Sequence, residues 1–549
     1  MKTSDLRLAS PAAGCWAAAA VALAVPIGVT TAVGGALAVT GAVAAALSRR
    51  MGERGRAVAI SVAGACGVAA ASTLVVLLRI LTVEQAPIVH VEGKPIVEVQ
   101  VAGDPSYALP GQMVLPVTVR KVRAGSQRPV AASLIARAEM TDPLPGERYR
   151  VRVRVRPPRD GVADRLSAAR LSAVGEMERV GEAPWWQTTA GRVRERLREV
   201  AGRALPERSA GLLPGLVLGD VSGLDQRTAD NFRAAGLTHL LAVSGSNFSL
   251  VCGTVILGIR MTGASARTIV LVGGVVIVGF VILVRPSDSV LRAAVMGSVG
   301  LLAGLGSRRA QALPALGTAV IVVILIWPQM AVAPGFALSV VATLGLVLWS
   351  VPIRRALMRR GVPEAPAMLL SMTLAAQILT TPLLIIMTDT VNLFAVPANL
   401  LAIPVVGMAG LLGTAAAVAG ALGPPYGYGA MLAEFLVRAA GLPVRWLIAV
   451  ADRLGEPRWS VIAVPGWTVV TVAGMVAAGL VGWRGRAAIR SHVGRAAVGR
   501  IWHDVRRERS AVSTSRGRRL SDRSGDLSRR HRAQPRGRYR RSRHPHPRR

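Results

Sequence analysis

A run of polar residues interrupts the apolar sequence at residues 219–225, Gly-Asp-Val-Ser-Gly-Leu-Asp, and polar positions recur in the apolar stretch that follows. On a continuous helix, His239, Ser246 and Asn247 would fall close to one face, which predicts a polar stripe. Unsatisfied polar groups are costly inside a membrane, and ionisable groups there usually mark a pathway, although hydroxyl and amide groups also join packed helices. The candidate path-lining residues are therefore Asp220, His239, Ser244 and Asn247.

Three polar side chains stand inside later apolar segments. Arg292 follows Pro286-Ser287 by about one and a half helical turns and is a candidate contact for an anion; a local bond to Asp288 is the structural alternative. Gln377 and Asn399 each lie within five residues of a proline, which can free backbone carbonyls and break a helix around a binding site. Kinked packing helices are the alternative. The prolines are Pro382, Pro397 and Pro404.

Strict alternation of arginine and valine over residues 150–156 predicts a β-strand with one basic face. Such a row suits phosphate groups, as in nucleic-acid binding, but charge runs also serve as solvated faces. The arginines concerned are Arg150, Arg152, Arg154 and Arg156.

The composition of the 549 residues, 52% hydrophobic and 17% charged, excludes an ordinary soluble protein and predicts a membrane protein. The net charge of +36 is concentrated towards the C-terminus. Three cysteines in apolar stretches offer no disulfide framework, and no metal-ligand spacing or phosphate-binding loop is present, so neither a metal nor a cofactor is expected. Ser244 lacks the flanking pattern of a hydrolase nucleophile and an evident orienting carboxylate, so the chain is not expected to be an enzyme.

The apolar segments predict a polytopic α-helical membrane protein of about 12 spans with an inserted small extracytoplasmic β-barrel domain. Residues 11–47 form a hairpin broken at Pro26, and a third span covers 57–80. Arginine clusters lie in alternate loops, which places both termini in the cytoplasm by the positive-inside rule. The further spans are predicted at about 238–259, 268–284, 289–305, 311–327, 331–350, 366–387, 392–421, 430–450 and 459–483.

The chain accordingly divides into five predicted regions. Period-two patterning defines the β domain, and an amphipathic helix from Thr189 to Leu205 is expected at the membrane interface. The last region, rich in arginine, is expected to be disordered and to contact anionic membrane lipids, with nucleic acid as the alternative. The regions are 1–81, membrane spans; 82–188, β domain; 189–236, interfacial helix and linker; 237–483, membrane core; and 484–549, cytoplasmic tail.

The ordered motifs resemble the ComEC competence-protein family. Besides the 219–225 loop, they include the Phe232-Arg233 segment with Gly-Leu-x-His-Leu-Leu-Ala-Val-Ser-Gly-x-Asn, and the blocks around Pro286-Ser287 and Arg292. Further matching blocks are Pro334 to Ser339, Ala376-Gln377 with Thr381-Pro382, and Asn399 to Pro404. The resemblance covers about residues 1–483 and implies that the β domain is OB-like.

This resemblance implies a channel of the cell membrane for uptake of single-stranded DNA during natural transformation. A secondary transporter or exporter of another solute is the alternative, although no internal repeat is evident. Many family members carry a C-terminal metallo-β-lactamase-like domain, but this sequence has no His-x-His-x-Asp-His string. The expected partners are therefore single-stranded DNA, membrane lipids, and separate nuclease and DNA-translocation proteins; a homodimer and a monomer are both compatible with the sequence.

Overall fold

The computed structural model describes residues 8–109, 111–123, 125–137, 143–241, 243, 245–303, 311–422, 427–457, 459–469 and 471. The chain divides into one unit of Met1–Gly466 and a second of Trp467–Arg549. Nearly all described residues belong to the first unit. The predicted tail, 484–549, lies outside them.

Fourteen α-helices occur in these ranges. They are α1 (Ala9–Ala24), α2 (Ile27–Ser48), α3 (Glu53–Glu84), α4 (Trp185–Ala204), α5 (Glu207–Leu218), α6 (Gln226–Ala234), α7 (Gly245–Met261), α8 (Ala266–Val284), α9 (Asp288–Ala303), α10 (Ala312–Ile326), α11 (Pro334–Arg359), α12 (Glu364–Thr388), α13 (Ala395–Ala421) and α14 (Tyr428–Gly455).

The strands between α3 and α4 are β1 (Ile96–Val101), β2 (Ser106–Leu109), β3 (Gln112–Val122), β4 (Gly125–Arg137), β5 (Arg148–Arg156), β6 (Arg170–Ala173) and β7 (Glu178–Gly181). Five of them close a ring in the order β1-β3-β4-β6-β5, and β5 pairs back onto β1. All pairings in the ring are antiparallel except β4 with β6. A closed five-stranded barrel is the architecture of an OB-like domain, so the predicted β domain is confirmed.

The barrel closes around apolar side chains that alternate along each strand. On β5, Tyr149, Val151 and Val153 are buried, whereas the arginines between them are exposed. The Tyr149 hydroxyl donates to Glu147 at 2.6 Å, which satisfies that polar group inside the barrel. The alternation places all four predicted arginines on the outer face.

Among the helices of the described ranges, six are long and apolar enough to cross a membrane: α2, α3, α8, α11, α12 and α13. Three shorter apolar helices, at Ala9–Ala24, Asn247–Met261 and Ala312–Ile326, add to them. The chain is therefore a mostly helical membrane protein, and the total of about 12 spans stays a prediction. The N-terminal hairpin is confirmed, because α1 and α2 meet at Pro26.

Two predicted spans differ from the structure at their starts. Residues 238–240 form a single 3-10 turn, and the helix begins only at Gly245. The segment predicted from 459 begins with strand β9 (Val461–Ala463), which pairs with β8 (Thr390–Asn392). A short apolar strand and the first turn of an apolar helix have similar amino-acid compositions. Hydropathy alone therefore cannot distinguish the two structures.

The prolines near Gln377 and Asn399 do not break their helices. Helix α12 continues through Pro382 and α13 through Pro404. A proline removes its own N–H and crowds one carbonyl, and neighbouring helices can compensate for this loss in a membrane bundle.

The amphipathic segment expected at the interface is helix α4, and its apolar face is covered by protein. Leu197, Val200 and Ala201 are almost fully buried in the core cluster that α4 shares with α5, α13 and α14. Arg194, expected on the solvated face, is buried as well. The sequence pattern was correct about the helix but wrong about what covers it.

Helices α5, α6 and α14 are tied together by a bidentate ion pair. Both terminal nitrogens of Arg208 donate to Asp452, at 2.8 and 2.9 Å, across 244 residues of sequence. Asn231 donates to the same carboxylate at 2.8 Å. This brace fixes the two helices that flank the polar loop 219–225.

Candidate functional site

The loop between α5 and α6 is shaped by its own side chains. Gly219 ends α5 with φ +71°, a left-handed conformation that glycine adopts without steric cost. The Asp220 carboxylate accepts from the backbone N–H and the hydroxyl of Ser222, at 3.2 and 2.7 Å. Asp225 caps α6 by accepting from the Thr228 N–H at 2.8 Å. The helix cap is thus Asp225, and Asp220 is available for other contacts.

Asp220 is buried against two arginines of α4. Its Oδ2 lies 3.8 Å from Arg194 Nη2 and 3.1 Å from Arg198 Nε. Burial alone would raise the pKa of this carboxyl, but the Ser222 hydrogen bonds and the two guanidinium charges outweigh burial and hold the pKa below its ordinary value. Asp220 is therefore a paired carboxylate.

The same arginine extends the network to the barrel. Arg194 Nη2 donates to Asp104 Oδ2 at 3.0 Å, and its Nη1 donates to the Leu218 and Leu283 carbonyls at 3.1 and 3.4 Å. Arg285, just after α8, pairs with Asp104 Oδ1 at 3.1 Å. A five-residue ionic cluster thus joins the barrel to the helices. Its members are Asp104, Arg194, Arg198, Asp220 and Arg285.

Asn247 lies where three helices meet. Its amide donates to the Leu216 carbonyl of α5 at 3.0 Å. It also packs on Gly410 of α13, where an added Cβ would come within 3.2 Å of the Asn247 side chain. The predicted residue is therefore buried between α5 and α13 at the start of α7.

His239 does not share a helix face with Asn247, so the predicted stripe is wrong. His239 belongs to the 3-10 turn and is exposed, whereas Val243 is buried. Gly236, with φ +72°, turns the chain after α6, and the 3-10 turn at residues 238–240 precedes α7, which begins at Gly245. Ser244 lies outside the described residues.

Arg292 lies on α9 and reaches across to α11. Its Nε donates to the Ser339 hydroxyl at 2.7 Å, and Nη1 lies 3.6 Å from the sulfur of Met296. Ser289 is 3.1 Å from the same hydroxyl. A Cβ added at Gly245, the first residue of α7, would lie 3.1 Å from Arg292 Nη2, so the guanidinium adjoins the start of that helix.

The local bond considered for Arg292 is not formed. Asp288 instead accepts from the backbone N–H of Phe336 at the start of α11, and an added Cβ at Gly335 would overlap its carboxylate. The blocks around residues 286–292 and 334–339, distant in sequence, therefore form one polar junction with α7.

Gln377 and Asn399 make bonds within their own helices. Gln377 donates to Thr381 at 2.9 Å, and buried Asn399 donates to the Ala395 carbonyl at 2.7 Å. Asn399 lies 11 residues before Gly410 on α13, or about 16 Å along the helix axis from the Asn247 contact. Neither joins the junction around Arg292.

The arginine row of β5 borders a basic depression on the barrel. A cavity of about 520 Å³ is lined by Lys94, Pro95, Ile96, Arg123, Arg150 and Arg152. Acidic neighbours lie along one side, where Arg150 pairs with Glu178 at 3.3 Å and Lys121 with Glu98 at 2.8 Å. The row is thus exposed and partly neutralised.

Sequence reasoning missed Asp104, Arg194 and Arg285. Asp104 lies in a Gly-Asp-Pro turn that reads as an ordinary loop, and Arg194 is one of several arginines on α4. Only Arg285 carried a signal, because it immediately precedes the Pro286-Ser287 block. In the part of the chain that the structure describes, no group of histidine, cysteine or acidic residues could hold a metal ion.

The fold and this site define a polytopic helical membrane protein with an OB-like barrel between its third and fourth helices. Residues 216–487 match the family described as Competence protein. ComE operon protein 3 of Bacillus subtilis (strain 168) is 28% identical over 215 residues, which is 39% of this chain and 26% of that protein's length. No solved structure matches.

These two matches support the resemblance to the ComEC competence-protein family that the motifs predict. The match spans only about a quarter of the relative's length. The matched region contains the polar loop, the Asn247 contact and the Arg292 junction, whereas the barrel and the first three helices precede it.

Proposed function

We propose that the protein is a channel that passes single-stranded DNA across the cytoplasmic membrane during natural transformation. The observation that carries this proposal is the setting of Arg292. Its hydrogen bonds go to a neutral hydroxyl and a sulfur, and among the described residues no carboxylate lies within ion-pair distance of it. A cation held among helices without an anionic partner is costly, so an anionic ligand such as a phosphodiester explains its presence.

Two further features support DNA as that ligand. The match of residues 216–487 to the family described as Competence protein points to DNA uptake. The OB-like barrel carries an outward row of arginines beside a basic depression, and such barrels are common platforms for single strands.

The proposed path runs past the start of α7, which carries Asn247 and adjoins the guanidinium of Arg292 from α9. Ser244 and His239 precede that start in the sequence and are proposed to line the path with them. Asp220 acts by positioning α4 and the loop. Gln377 and Asn399 are proposed to line a later section, where their intrahelical bonds would exchange for contacts with the strand.

The membrane setting completes the proposal. The barrel lies outside, both termini lie in the cytoplasm, and the bundle has about 12 spans. A separate nuclease and a DNA-translocation protein act with it, in a monomer or a homodimer, and the basic tail binds anionic lipids.

Uptake of labelled donor DNA in a deletion strain tests this function. Complementation with the wild-type chain should restore uptake, and Arg292→Ala should reduce it by at least about a hundredfold, as expected for loss of a charged contact in a low-dielectric site. Arg267→Ala is the matched control, because Arg267 is exposed at the start of α8. Membrane levels of all three proteins are measured in parallel.

A secondary transporter of another solute is the competing function. That reading expected helices broken near Gln377 and Asn399, but α12 and α13 continue through Pro382 and Pro404. Undiminished DNA uptake in the deletion strain under competent conditions would overturn the channel and favour the transporter.

A further inference from the structure

Asp104 is held between two buried arginines at the junction of the barrel and the helices. One carboxylate oxygen faces Arg194 at 3.0 Å and the other faces Arg285 at 3.1 Å. The Asp104 side chain is 36% exposed, whereas those of Arg194 and Arg285 are 7% and 10% exposed. We call the guanidinium groups of Arg194 and Arg285 the arginine clasp. The clasp binds one carboxylate, and it is accessible from the surface at the position of that carboxylate.

The clasp is held in place by groups other than Asp104. Arg194 Nη1 donates to the carbonyls of Leu218 and Leu283, and Arg285 Nη1 donates to Gln187 at 2.8 Å. These acceptors are neutral and belong to three different helices or their ends. Both guanidiniums would consequently keep their orientation if the carboxylate left.

The two guanidiniums of the clasp share one bridging carboxylate, Asp104. The neighbouring Arg198 pairs with Glu195 at 3.2 Å and with Asp220 at 3.1 Å, and Asp220 also accepts from Ser222. An anion of higher charge density than a carboxylate would therefore gain from both guanidiniums at the exposed edge. Guanidinium forks bind phosphate as well as they bind carboxylate.

The backbone at Arg285 shows a conformation that residues with a side chain rarely adopt. Its φ is +72° and its ψ is 147°, between the end of α8 and the Pro286-Ser287 block. Residues are held in such regions where the surrounding structure demands it, often at ligand sites. Arg285 is also seven residues before Arg292, so one short segment carries both cations from the barrel junction to α9.

We propose that the arginine clasp is a phosphate-binding site for a DNA strand, and that Asp104 occupies it until a strand phosphate replaces the carboxylate. In this exchange the DNA strand moves from the barrel to the helices. The barrel turn that contains Asp104 then loses its ion pairs with Arg194 and Arg285. This inference rests on the proposed function and adds to it a second phosphate contact ahead of Arg292.

Binding of a fluorescent thymidine oligonucleotide to the full chain tests the clasp. The purified protein is reconstituted in discs of phosphatidylcholine, and anisotropy is recorded at two salt concentrations. Asp104→Asn should tighten binding by about fivefold to tenfold, because the phosphate no longer competes with a carboxylate. Arg285→Gln in the same background should abolish that gain.

Asp160→Asn is the matched control for charge. Asp160 is exposed on the barrel, and its removal changes the net charge equally without touching the clasp. Equal tightening by Asp104→Asn and Asp160→Asn would overturn the proposal, as would weaker binding in Asp104→Asn with an unchanged elution profile. An oligonucleotide with neutral methylphosphonate linkages should show no gain in any variant.

Two further experiments test where the phosphate comes from and whether the clasp or the channel function is wrong. If phosphatidylglycerol in the discs removes the gain, a lipid headgroup occupies the clasp and the nucleic-acid assignment is wrong. Normal DNA uptake by Arg285→Gln, with an absent binding gain in Asp104→Asn, would overturn the clasp alone. A binding gain without any effect of gene deletion on uptake would instead overturn the channel function.

Discussion

Arg194 and Arg292 are both arginines held among helices, and their partners are opposite in kind. Arg194 lies against two carboxylates and two carbonyls, whereas Arg292 has the Ser339 hydroxyl and the Met296 sulfur. A buried charge that is paired with opposite charges and hydrogen-bond acceptors has a structural role. Removal of either partner then destabilises the fold. The half-buried charge of Arg292, which has no carboxylate partner among the described residues, persists in spite of its cost to folding, and this contrast marks Arg292 for a ligand.

The largest effect on stability is expected from Arg194→Ala. The change leaves buried Asp220 without one of its two cations and should lower the free energy of unfolding by about 3–5 kcal/mol. Membrane abundance and the thermal midpoint of the full chain in detergent report this loss. A variant as abundant and as stable as the wild type would remove the distinction drawn between the two arginines.

Arg292→Met tests the same comparison at the arginine that has no carboxylate partner among the described residues. Replacement of an uncompensated cation by an apolar side chain of similar length should leave the thermal midpoint unchanged or raise it, while DNA uptake is lost. Uptake and the thermal midpoint are measured on the same variant. A fall in stability as large as that of Arg194→Ala would show that Arg292 is a structural residue.

Ser339→Ala tests how far Arg292 depends on its position. Loss of one hydrogen bond to the guanidinium should reduce uptake by about tenfold to a hundredfold, because hydrogen bonds to charged groups contribute about 1.5–3 kcal/mol, but should not abolish it. Thr343→Ala is a suitable control, since Thr343 lies one turn later on α11. Its hydroxyl donates to the backbone carbonyl of Ser339 within the same helix. Equal losses in both variants would argue for a general defect of α11.

A smaller effect separates the two aspartates of the polar loop. Asp225→Ala removes the cap of α6 and should destabilise the chain by about 1 kcal/mol, whereas Asp220→Ala should cost more because it strips two arginines of a carboxylate. Thermal midpoints of the two variants give the order directly. The reverse order would assign the anchoring role to Asp225.

The smallest effect is a pH dependence in the barrel. Lys121 donates to Glu98 and, against the opposing effect of burial, its hydrogen bond and the nearby charges hold the pKa of Glu98 below its ordinary value. A depressed pKa in the folded state stabilises the protein above the ordinary pKa of the carboxyl, and that gain is lost as the pH falls through the lowered value. The difference in thermal midpoint between wild type and Glu98→Gln should therefore be present at pH 6 and shrink in the acid range.

The sequence predicted most of the elements and part of the site. Long apolar runs and strict alternation indicate helices and strands through local physics, so the hairpin at Pro26 and the arginine row of β5 were found. The family motifs identified Asn247, which lies at the start of α7, and Arg292, whose guanidinium adjoins Gly245 of the same helix. These successes depend on patterns that fit within one element.

Most of the failures depend on contacts between distant elements. Asp104 and Arg194 are 90 residues apart, and no local pattern links a turn of the barrel to one arginine of an amphipathic helix. His239 is exposed because residues 238–240 form a 3-10 turn within an apolar run that hydropathy reads as one continuous helix. The cover of α4 by other helices likewise depends on tertiary packing, which an amphipathic pattern cannot distinguish from a membrane surface.

The brace between Arg208 and Asp452 also sets an order of events during synthesis. At about 5–20 residues per second, the ribosome needs roughly 12–50 s to cover the 244 residues between the two partners. During that time α5 and α6 have been synthesised, but α14, which carries Asp452, has not. The polar loop between α5 and α6 therefore lacks this ion pair until the bundle is complete. A nascent chain arrested before residue 452 is accordingly the form on which quality-control proteases would act first.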